Sequence, residues 1–494
     1  MINLTNKGYK IHSVKYNFIM NVILKMSSFI FPLITFPYVS RVLGAVGNGK
    51  VSFATSVIYY FSMIATLGIP TYGVKICAQY REDKEKLSKT VKELLIIESL
   101  AMIVSYIIFF IALYFVPRLR EEKTLMLINS ATILLTVFGV EWFYQSIEQY
   151  DYITFRNLVF KIISISLMFL LVHETEDYVL YGAINVLGTV GSNILNILRL
   201  RKLVDFKTKC TIQLSQHIRP VFMLFMLSAA SMVYTSLDTT MLGFMKDDAA
   251  VGYYNAAVKL KNILVSLVTS LGTVLLPRLS NSLANKDMIA FNRLIKKSFN
   301  FVLLMSIPLT IYCIIEASDC INFLAGSGYQ QAILPMQLIS IAIIFIGLSN
   351  IIGIQILIPC GKENLTVLST VVGAIVNIIL NSILIPLYSA AGAALATTIA
   401  ELSVLLVQVY FIRSHLHSML QIQNIFKIFI SGIVATLILL TNNYFIHIDS
   451  TFLSIIETGF LFFITYGVIL IITREQITQE AINNIIKKFK SIIS

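Results

Sequence analysis

The sequence is poor in charged residues and has no long polar segment. Charged residues make up 13% of its 494 residues, whereas 57% are hydrophobic. A soluble protein carries about twice that charged fraction, so the composition excludes an ordinary soluble enzyme or binding domain. Apolar stretches use nearly all of the length, which leaves no room for a sizeable soluble domain.

Motifs for catalysis and metal binding are also missing. The five cysteines are scattered, and no pair has metal-ligand spacing, so neither a metal site nor a disulfide framework is predicted. The sequence contains no nucleophile motif, no Gly-rich phosphate loop, no ATP-binding motif and no pair of catalytic aspartates in a loop. It therefore predicts a protein that is not an enzyme and needs no cofactor, although coupling to a Na⁺ or H⁺ gradient stays open.

Roughly fourteen apolar stretches of about 17–25 residues fill the chain between Asn17 and Thr473. Each is long enough to cross a hydrocarbon core of about 30 Å as a helix. The sequence therefore predicts an all-α, multi-pass membrane protein. We place its helices at about 17–38, 51–69, 94–116, 124–143, 155–172, 179–198, 220–242, 253–276, 299–315, 335–358, 366–386, 392–412, 426–446 and 452–473.

The basic residues are distributed unevenly between the two sides of the predicted membrane. Most of the 38 Lys and Arg fall in alternate loops, and the richest of these loops are 70–93 and 199–219. This asymmetry is the positive-inside pattern, and it predicts that both termini are cytoplasmic. The net charge of +12 then indicates topology and contact with anionic lipid rather than a nucleic-acid partner.

A short motif occurs twice, six predicted helices apart. Leu43-Gly44 ends the first helix and Leu242-Gly243 ends the seventh, and each is followed by Val-Gly at the start of the next helix. Chance similarity of short glycine turns is the alternative to a true repeat. Two parallel repeats commonly enclose a transporter's substrate path. We predict two six-helix lobes, 1–205 and 206–415, and two additional helices with a tail in 416–494.

Further motifs follow one another in order along both predicted lobes. They are Phe36-Pro37-Tyr38-Val39-Ser40-Arg41-Val42-Leu43-Gly44 with Gly47, Glu141-Trp142-Phe143-Tyr144-Gln145 with Glu148 and Tyr150, Asp177-Tyr178 with Tyr181, Asp238 with Met241-Leu242-Gly243, Val251-Gly252-Tyr253, Pro277-Arg278, Asn377, Ile385-Pro386, and Gly392-Ala393-Ala394 with Glu401. In this order and spacing, over about residues 14–415, the chain resembles the O-antigen and capsule repeat-unit flippases of the multidrug/oligosaccharidyl-lipid/polysaccharide exporter superfamily.

The resemblance implies a two-lobe helical bundle of the multidrug-exporter type, with twelve core helices often extended to fourteen. It also implies a function, which is to flip undecaprenyl-diphosphate-linked oligosaccharide across the bacterial cytoplasmic membrane for surface polysaccharide assembly. The polysaccharide polymerase machinery is then an expected partner. Two other functions stay open: a multidrug or small-solute antiporter of the same fold, and a membrane-embedded glycan polymerase or glycosyltransferase, which would be expected to present a large outer loop or a cytoplasmic domain.

Polar residues recur at helical spacing on several predicted helices. Residues three and four apart share one helix face, and a polar face is costly against lipid. These faces are therefore expected to line a watery cavity, unless they pack helices together through small polar side chains. The candidate lining residues are Asn21 and Ser28 on the first helix, Tyr59 on the second, and Asn255, Asn262 and Ser266 on the eighth.

Lysines deep in two predicted helices are the candidate binding groups for an anionic substrate. Lys25 and Lys259 lie well inside the first and eighth helices, where a charge is costly unless it is solvated or paired. Cations in such a low-dielectric space attract a diphosphate strongly. The first helix contains no acid, which disfavours a drug antiporter. Arg41 and Lys50, near the outer mouth, are either further substrate contacts or ordinary interfacial charges.

Two acidic residues have competing interpretations. Asp238 lies on a polar stripe near the outer end of the seventh helix, where it either pairs with a lumen cation or binds a coupling ion. Glu141 lies at the inner end of the fourth helix beside Trp142, which is interpreted as an interfacial anchor. Glu141 is then either a capping or interface residue, or a contact for the substrate or a coupling ion.

Overall fold

The computed structural model describes residues 12–206, 211–446, 448–480 and 482–483, and these residues form helices and no strand. Eleven helical segments among them are long and apolar enough to cross a membrane. Two of the eleven are each divided into two long helices by one non-helical residue, which is Gly44 in one and Ser389 in the other. Ser215–Met245 is one more long helix. Counted this way, the described chain has fourteen long helices, which confirms the predicted all-α class and the predicted number of helices.

We number these long helices in chain order. They are α1 (14–43), α2 (45–66), α3 (Lys84–Phe115), α4 (Lys123–Gly139), α5 (Tyr150–Leu171), α6 (Thr175–Leu203), α7 (Ser215–Met245), α8 (Asp248–Ala284), α9 (Met288–Ile315), α10 (Ser327–Leu357), α11 (363–388), α12 (390–419), α13 (Ile422–Phe445) and α14 (Thr451–Ile472).

The connection between α1 and α2 is far shorter than the sequence pattern indicates. The segment expected as a loop, 39–50, is helical except at Gly44, whose φ of 64° lies in the left-handed region. Glycine adopts this region without the steric penalty that a side chain would bring. The single residue Gly44 therefore forms the connection between the two helices.

The chain divides into two compact units, Met1–Gly252 and Tyr253–Ser494. The first unit contains α1 to α7, so α7 packs with the helices that precede it. The predicted repeat boundary at 205/206 instead separates α6 from α7. A repeat boundary and a packing boundary are different properties, and the division into repeats stays a prediction.

Each unit has its own apolar core. In the first unit, Phe143 and Tyr144 belong to a buried cluster that also includes Ile69 and Leu94. In the second unit, α13 and α14 pack on α9 through a separate cluster. Hydrogen bonds reinforce this packing, because the hydroxyl groups of Tyr312 on α9 and Thr458 on α14 lie 3.1 Å apart.

Candidate functional site

A cavity of about 500 Å³ lies within the first unit. Its wall is built by α1, α5, α6 and the short helix Glu141–Ser146. The polar residues of this wall are Asn21, Lys25, Ser28, Thr35, Glu141, Gln145, Asn157, Lys161, Ser164, Tyr181, Asn185 and Thr189. Four of the sequence-predicted residues, Asn21, Lys25, Ser28 and Glu141, are therefore together in one cavity.

The helical periodicity of α1 explains why its polar residues meet at this wall. Asn21, Lys25 and Ser28 are spaced by four and three residues, which aligns them along one face of the helix. Pro32 and Thr35 continue the same face and also line the cavity. The polar stripe that the sequence predicts on α1 thus faces a cavity.

Lys161 is a cavity cation that our sequence reasoning missed. Its Nζ donates hydrogen bonds to Ser27 Oγ at 2.9 Å and to Ser28 Oγ at 3.1 Å. The ammonium also lies 5.4 Å from the centre of the Phe31 ring, within reach of a cation–π interaction. Within the described residues, no carboxylate lies within ion-pair distance of Lys161. Hydroxyls and a ring hold its charge in place without neutralising it.

The periodicity of α5 is the signal that could have found Lys161. Asn157, Lys161 and Ser164 are spaced by four and three residues, which is the same pattern as on α1. All three line the cavity.

Glu141 lies in the cavity wall opposite a buried arginine. Its Oε2 is 3.7 Å from Nη2 of Arg156, whose Nη1 donates to Asn193 Oδ1 at 2.8 Å. Arg156 is only 2% exposed, so its charge needs a nearby acid. Glu141 therefore acts electrostatically on both Arg156 and Lys161, and with Lys25 and Lys161 the described wall still carries more positive than negative charge.

Trp142 does not anchor the protein at the membrane interface, and that expectation is wrong. The side chain is 4% exposed, and its Nε1 donates to Glu98 Oε2 at 3.2 Å. The ring lies against Gly73, where a Cβ atom would be only 2.6 Å from it. The absence of a side chain at Gly73 makes room for the indole in the core.

Three other predicted residues of α1 and α2, namely Arg41, Lys50 and Tyr59, do not line the cavity. Lys50 Nζ is 2.5 Å from Glu122 Oε1 and 4.5 Å from the centre of the Tyr178 ring. These contacts account for Lys50 without a substrate. Arg41 is exposed and donates to the Pro37 carbonyl at 2.6 Å, and Tyr59 is 41% exposed on α2.

The remaining predicted residues lie on α7 and α8. Asp238 is on α7 in the first unit and is 5% exposed. The predicted residues of α8 belong to the second unit, where Ser266 Oγ donates to the Ile263 carbonyl at 2.6 Å. The others are Asn255 and Lys259, which are partly buried, and Asn262, which is exposed.

Within the first unit, α7 contacts α2 near one of its ends, and near the other end it contacts α3 and the short helix Ile69–Tyr80, which follows α2. We call the end formed by segments 70–93, 199–206 and 211–219 the basic end, and the other the opposite end. At the opposite end, Thr240 Oγ1 donates to Ser56 Oγ at 3.0 Å, and a Cβ atom on Gly243 would overlap the Phe53 ring. Glycine therefore permits the close approach of the two helices there.

An arginine adds a polar bond at the opposite end. Arg118 donates to the Gly243 carbonyl at 2.8 Å and lies 2.5 Å from Asp248. Burial lowers the pKa of Arg118, but hydrogen bonds to Glu121 and Asp248 outweigh that effect and raise it above its usual value. The guanidinium therefore stays charged, and it ties the α3–α4 connection to the α7–α8 connection.

At the basic end, the contact is a buried polar network. Nε2 of His217, on α7, lies 3.0 Å from Glu93 Oε2, and its Nδ1 lies 2.9 Å from the Tyr72 hydroxyl. Glu93 also accepts a hydrogen bond from the Gln213 backbone at 2.7 Å. Because Glu93 and His217 are 0% and 3% exposed, separating α7 here would break bonds that are shielded from water.

Comparison with known proteins identifies a matching family and several relatives. Residues 14–283 match the model of the family described as polysaccharide biosynthesis protein. Two relatives are each described as "Putative O-antigen transporter". The one from Escherichia coli strain K12 is 23% identical over 407 residues, which is 82% of this chain and 97% of the relative. The one from Shigella dysenteriae is 25% identical over 409 residues, which is 80% of this chain and 98% of the relative.

A third comparison concerns the fold. A solved structure of the lipid II flippase MurJ in an inward closed conformation matches 93% of this chain and all of its own, with a TM-score of 0.75 and 18% identity. At that identity the likeness shows the fold alone.

A further relative is matched by sequence. The lipid II flippase MurJ of Bacillus subtilis strain 168 is 28% identical over 161 residues, which cover 32% of this chain and 29% of that one.

Proposed function

Because the chain belongs to the polysaccharide biosynthesis protein family, we propose that it flips undecaprenyl-diphosphate-linked oligosaccharide repeat units across the bacterial cytoplasmic membrane. The cavity in which Lys25 and Lys161 line one wall is the observation that carries this proposal. The names of the relatives, which are those of transporters and flippases, support it and disfavour an enzyme.

The chemistry of the cavity suits a glycolipid with an anionic linkage. Two lysine ammonium groups attract a diphosphate more strongly in a partly enclosed site than in bulk water. The side-chain amides of Asn21, Asn157 and Asn185 offer both donors and acceptors, which pair well with sugar hydroxyls. The polyprenyl tail needs no polar path, because hydrocarbon is already its preferred solvent.

The same cavity disfavours an antiporter for organic cations. Lys25 and Lys161 would repel such a substrate. Glu141, which is the one acid among the described residues of the wall, faces Arg156 at 3.7 Å. A drug antiporter would require an uncompensated acid in that position. The flippase is therefore the better of the two transport functions.

Alternating access is the mechanism that we propose, by rocking of two lobes with the headgroup held centrally. The contacts of α7 at both ends support it, because with the predicted boundary at 205/206 these contacts join one lobe to the other. The polar network of Glu93, His217 and Tyr72 would close the basic end, and Ser56 with Thr240 the opposite end. Asp238 would bind a coupling Na⁺ or H⁺ or pair with a lumen cation, and the polymerase machinery would receive the product.

A strain lacking this protein tests the substrate. We expect a lipid-linked oligosaccharide to accumulate on the inner leaflet and surface polysaccharide to disappear. Wild-type protein should restore the polysaccharide, and so should the control Lys123→Ala, which changes an exposed lysine outside the cavity. Lys161→Ala at equal membrane abundance should not. Normal surface polysaccharide without the protein, or full restoration by Lys161→Ala, would contradict the proposal.

A disulfide tests the mechanism separately. Ser56 and Thr240 are hydrogen-bonded neighbours on α2 and α7, so a cysteine at each should form a bond that holds the opposite end closed. We expect oxidation of the double-cysteine variant to stop flipping and reduction to restore it. Each single-cysteine variant is the control for oxidation itself. Flipping that continues with the crosslink complete would exclude opening between α2 and α7 at this end.

A further inference from the structure

A second cavity of the first unit, of about 650 Å³, lies at the basic end. It is formed between the first turns of α3 and the last turns of α4 and α6. Its walls are apolar and come from Leu95 on α3, Phe138 on α4, and Ile197 and Leu200 on α6. It shares no lining residue with the cavity that contains Lys25, so the substrate site does not account for it.

Three cations surround these apolar walls. Lys84, Arg201 and Lys202 all line the cavity, and all three are exposed. Within the described chain, none of them lies within ion-pair distance of a carboxylate. Among the described residues of the lining, Asp205 is the one acid, and its backbone N–H donates to Ser88 Oγ at 3.1 Å. The cavity therefore combines an apolar interior with an excess of positive charge.

This combination matches an amphiphile with an anionic headgroup. Basic pockets between transmembrane helices on the cytoplasmic side bind the phosphate groups of anionic lipids. A free phosphate would use the cations but would leave Leu95, Phe138 and Ile197 without a partner. We propose that this cavity binds one anionic phospholipid of the inner leaflet, with its phosphate on Lys84, Arg201 and Lys202 and its acyl chains against α3, α4 and α6.

The bound lipid would also hold the start of the connection between α6 and α7. Val204, Asp205 and Phe206 lead out of α6 towards α7, and all three line the cavity. The predicted boundary between the two lobes lies in this connection. A lipid seated here would therefore tie the lobe boundary to the membrane surface, independently of the substrate.

Native mass spectrometry of the purified full-length protein tests the proposal, with dioleoyl phosphatidylglycerol and dioleoyl phosphatidylcholine as probes. We expect tighter retention of phosphatidylglycerol by the wild type. The combined change Lys84→Gln, Arg201→Gln and Lys202→Gln should weaken that binding about tenfold or more, because each cation near the membrane surface contributes to it. Changing Arg293, Lys296 and Lys362 to Gln removes the same charge from other basic segments and should leave the binding as it is.

Two further arms separate a lipid site from simple charge attraction. Ile197→Trp fills the apolar interior and keeps every cation, so it should also weaken phosphatidylglycerol binding. Inorganic phosphate in excess should leave the lipid bound. Equal retention of the two lipids, undiminished binding in the Lys84, Arg201 and Lys202 variant, or full displacement by phosphate would each overturn the proposal. If Ile197→Trp does not fold, the three-cation variant and its control still decide it.

Discussion

The sequence predicts a polar stripe on α1 and another on α2, the latter formed by Ser52, Thr55, Tyr59, Ser62 and Thr66, but the two stripes have different surroundings in the structure. On α1, Asn21 and Lys25 line the cavity of the first unit. On α2, Ser62 and Thr66 are 6% and 8% exposed, and Thr66 donates to the Ser62 carbonyl at 3.0 Å. The α1 stripe fits the cavity interpretation, whereas this half of the α2 stripe fits the alternative of helix packing.

The difference follows from what each side chain can do alone. Ser and Thr in a helix can donate to the carbonyl three or four residues earlier, so they can be buried without another partner. The ammonium of a lysine extends beyond its own backbone and requires water, an acid or a ligand. A stripe that contains Lys or Asn therefore indicates a cavity more strongly than a stripe of hydroxyls.

Removing the cavity lysines should have the largest effect. A hydrogen bond to a charged group contributes about 1.5–3 kcal/mol, which corresponds to about a 10- to 100-fold loss of rate. We expect a loss of this size for Lys161→Ala and for Lys25→Ala in the initial rate of flipping by proteoliposomes of equal protein content. Lys161→Arg keeps the charge and should retain most of the rate. A rate within twofold of wild type in both alanine variants would show that the polar stripe of α1, like that of α2, does not bind the substrate.

Weakening the contact of α7 at the basic end should have the second largest effect. Glu93→Gln weakens the acceptor for His217 and Gln213, and an imperfectly satisfied buried group costs about 1–3 kcal/mol. The basic end should therefore open more often. A cysteine at Val221, which is 1% exposed, should react with a maleimide about fivefold faster or more in this variant. Unchanged reactivity would show that the network does not hold this end closed.

A neutral cavity residue should have an intermediate effect. Asn21→Ala removes one amide from the wall and no charge, and a neutral hydrogen bond contributes about 1 kcal/mol. We expect about a fivefold lower flipping rate in the proteoliposome assay. An effect as large as that of Lys161→Ala would show that Asn21 does more than contact a sugar hydroxyl.

The hydroxyls of α2 should have the smallest effect. Thr66→Ala removes a side chain that bonds its own helix, and Ser62→Ala removes a small buried hydroxyl. Flipping should stay within about twofold of wild type in either variant, because neither residue faces the cavity. A loss comparable to that of Asn21→Ala would indicate that the polar stripe of α2 also lines the substrate path.

Much of the fold could be predicted because its signals are local. Apolar length set the number of helices, and the spacing of Asn21, Lys25 and Ser28 located the α1 wall. The same spacing rule would have located Lys161 on α5. By contrast, the burial of Trp142 depends on Gly73 and Glu98, which lie far away in the sequence. Nothing near Trp142 indicates that a glycine elsewhere makes room for it.

The ion pairs were also beyond the reach of sequence patterns. The pairing of Lys50 with Glu122 depends on how α2 meets the α3–α4 connection. The distance of 3.7 Å between Arg156 Nη2 and Glu141 Oε2 depends on the turn after α4. Both are tertiary contacts between segments that carry no shared motif, so charge alone could not separate Lys50 from the cavity cations.

The charge of the transported linkage offers the most direct test of the account. Purified protein in proteoliposomes would be given an undecaprenyl-diphosphate-linked oligosaccharide and, separately, the same glycan on undecaprenol without phosphate. We predict that the wild type flips the diphosphate-linked lipid much faster, and that Lys25→Ala with Lys161→Ala removes most of that preference. Equal flipping of both lipids by the wild type, or a preference that survives the loss of both lysines, would contradict a cationic headgroup site between α1 and α5.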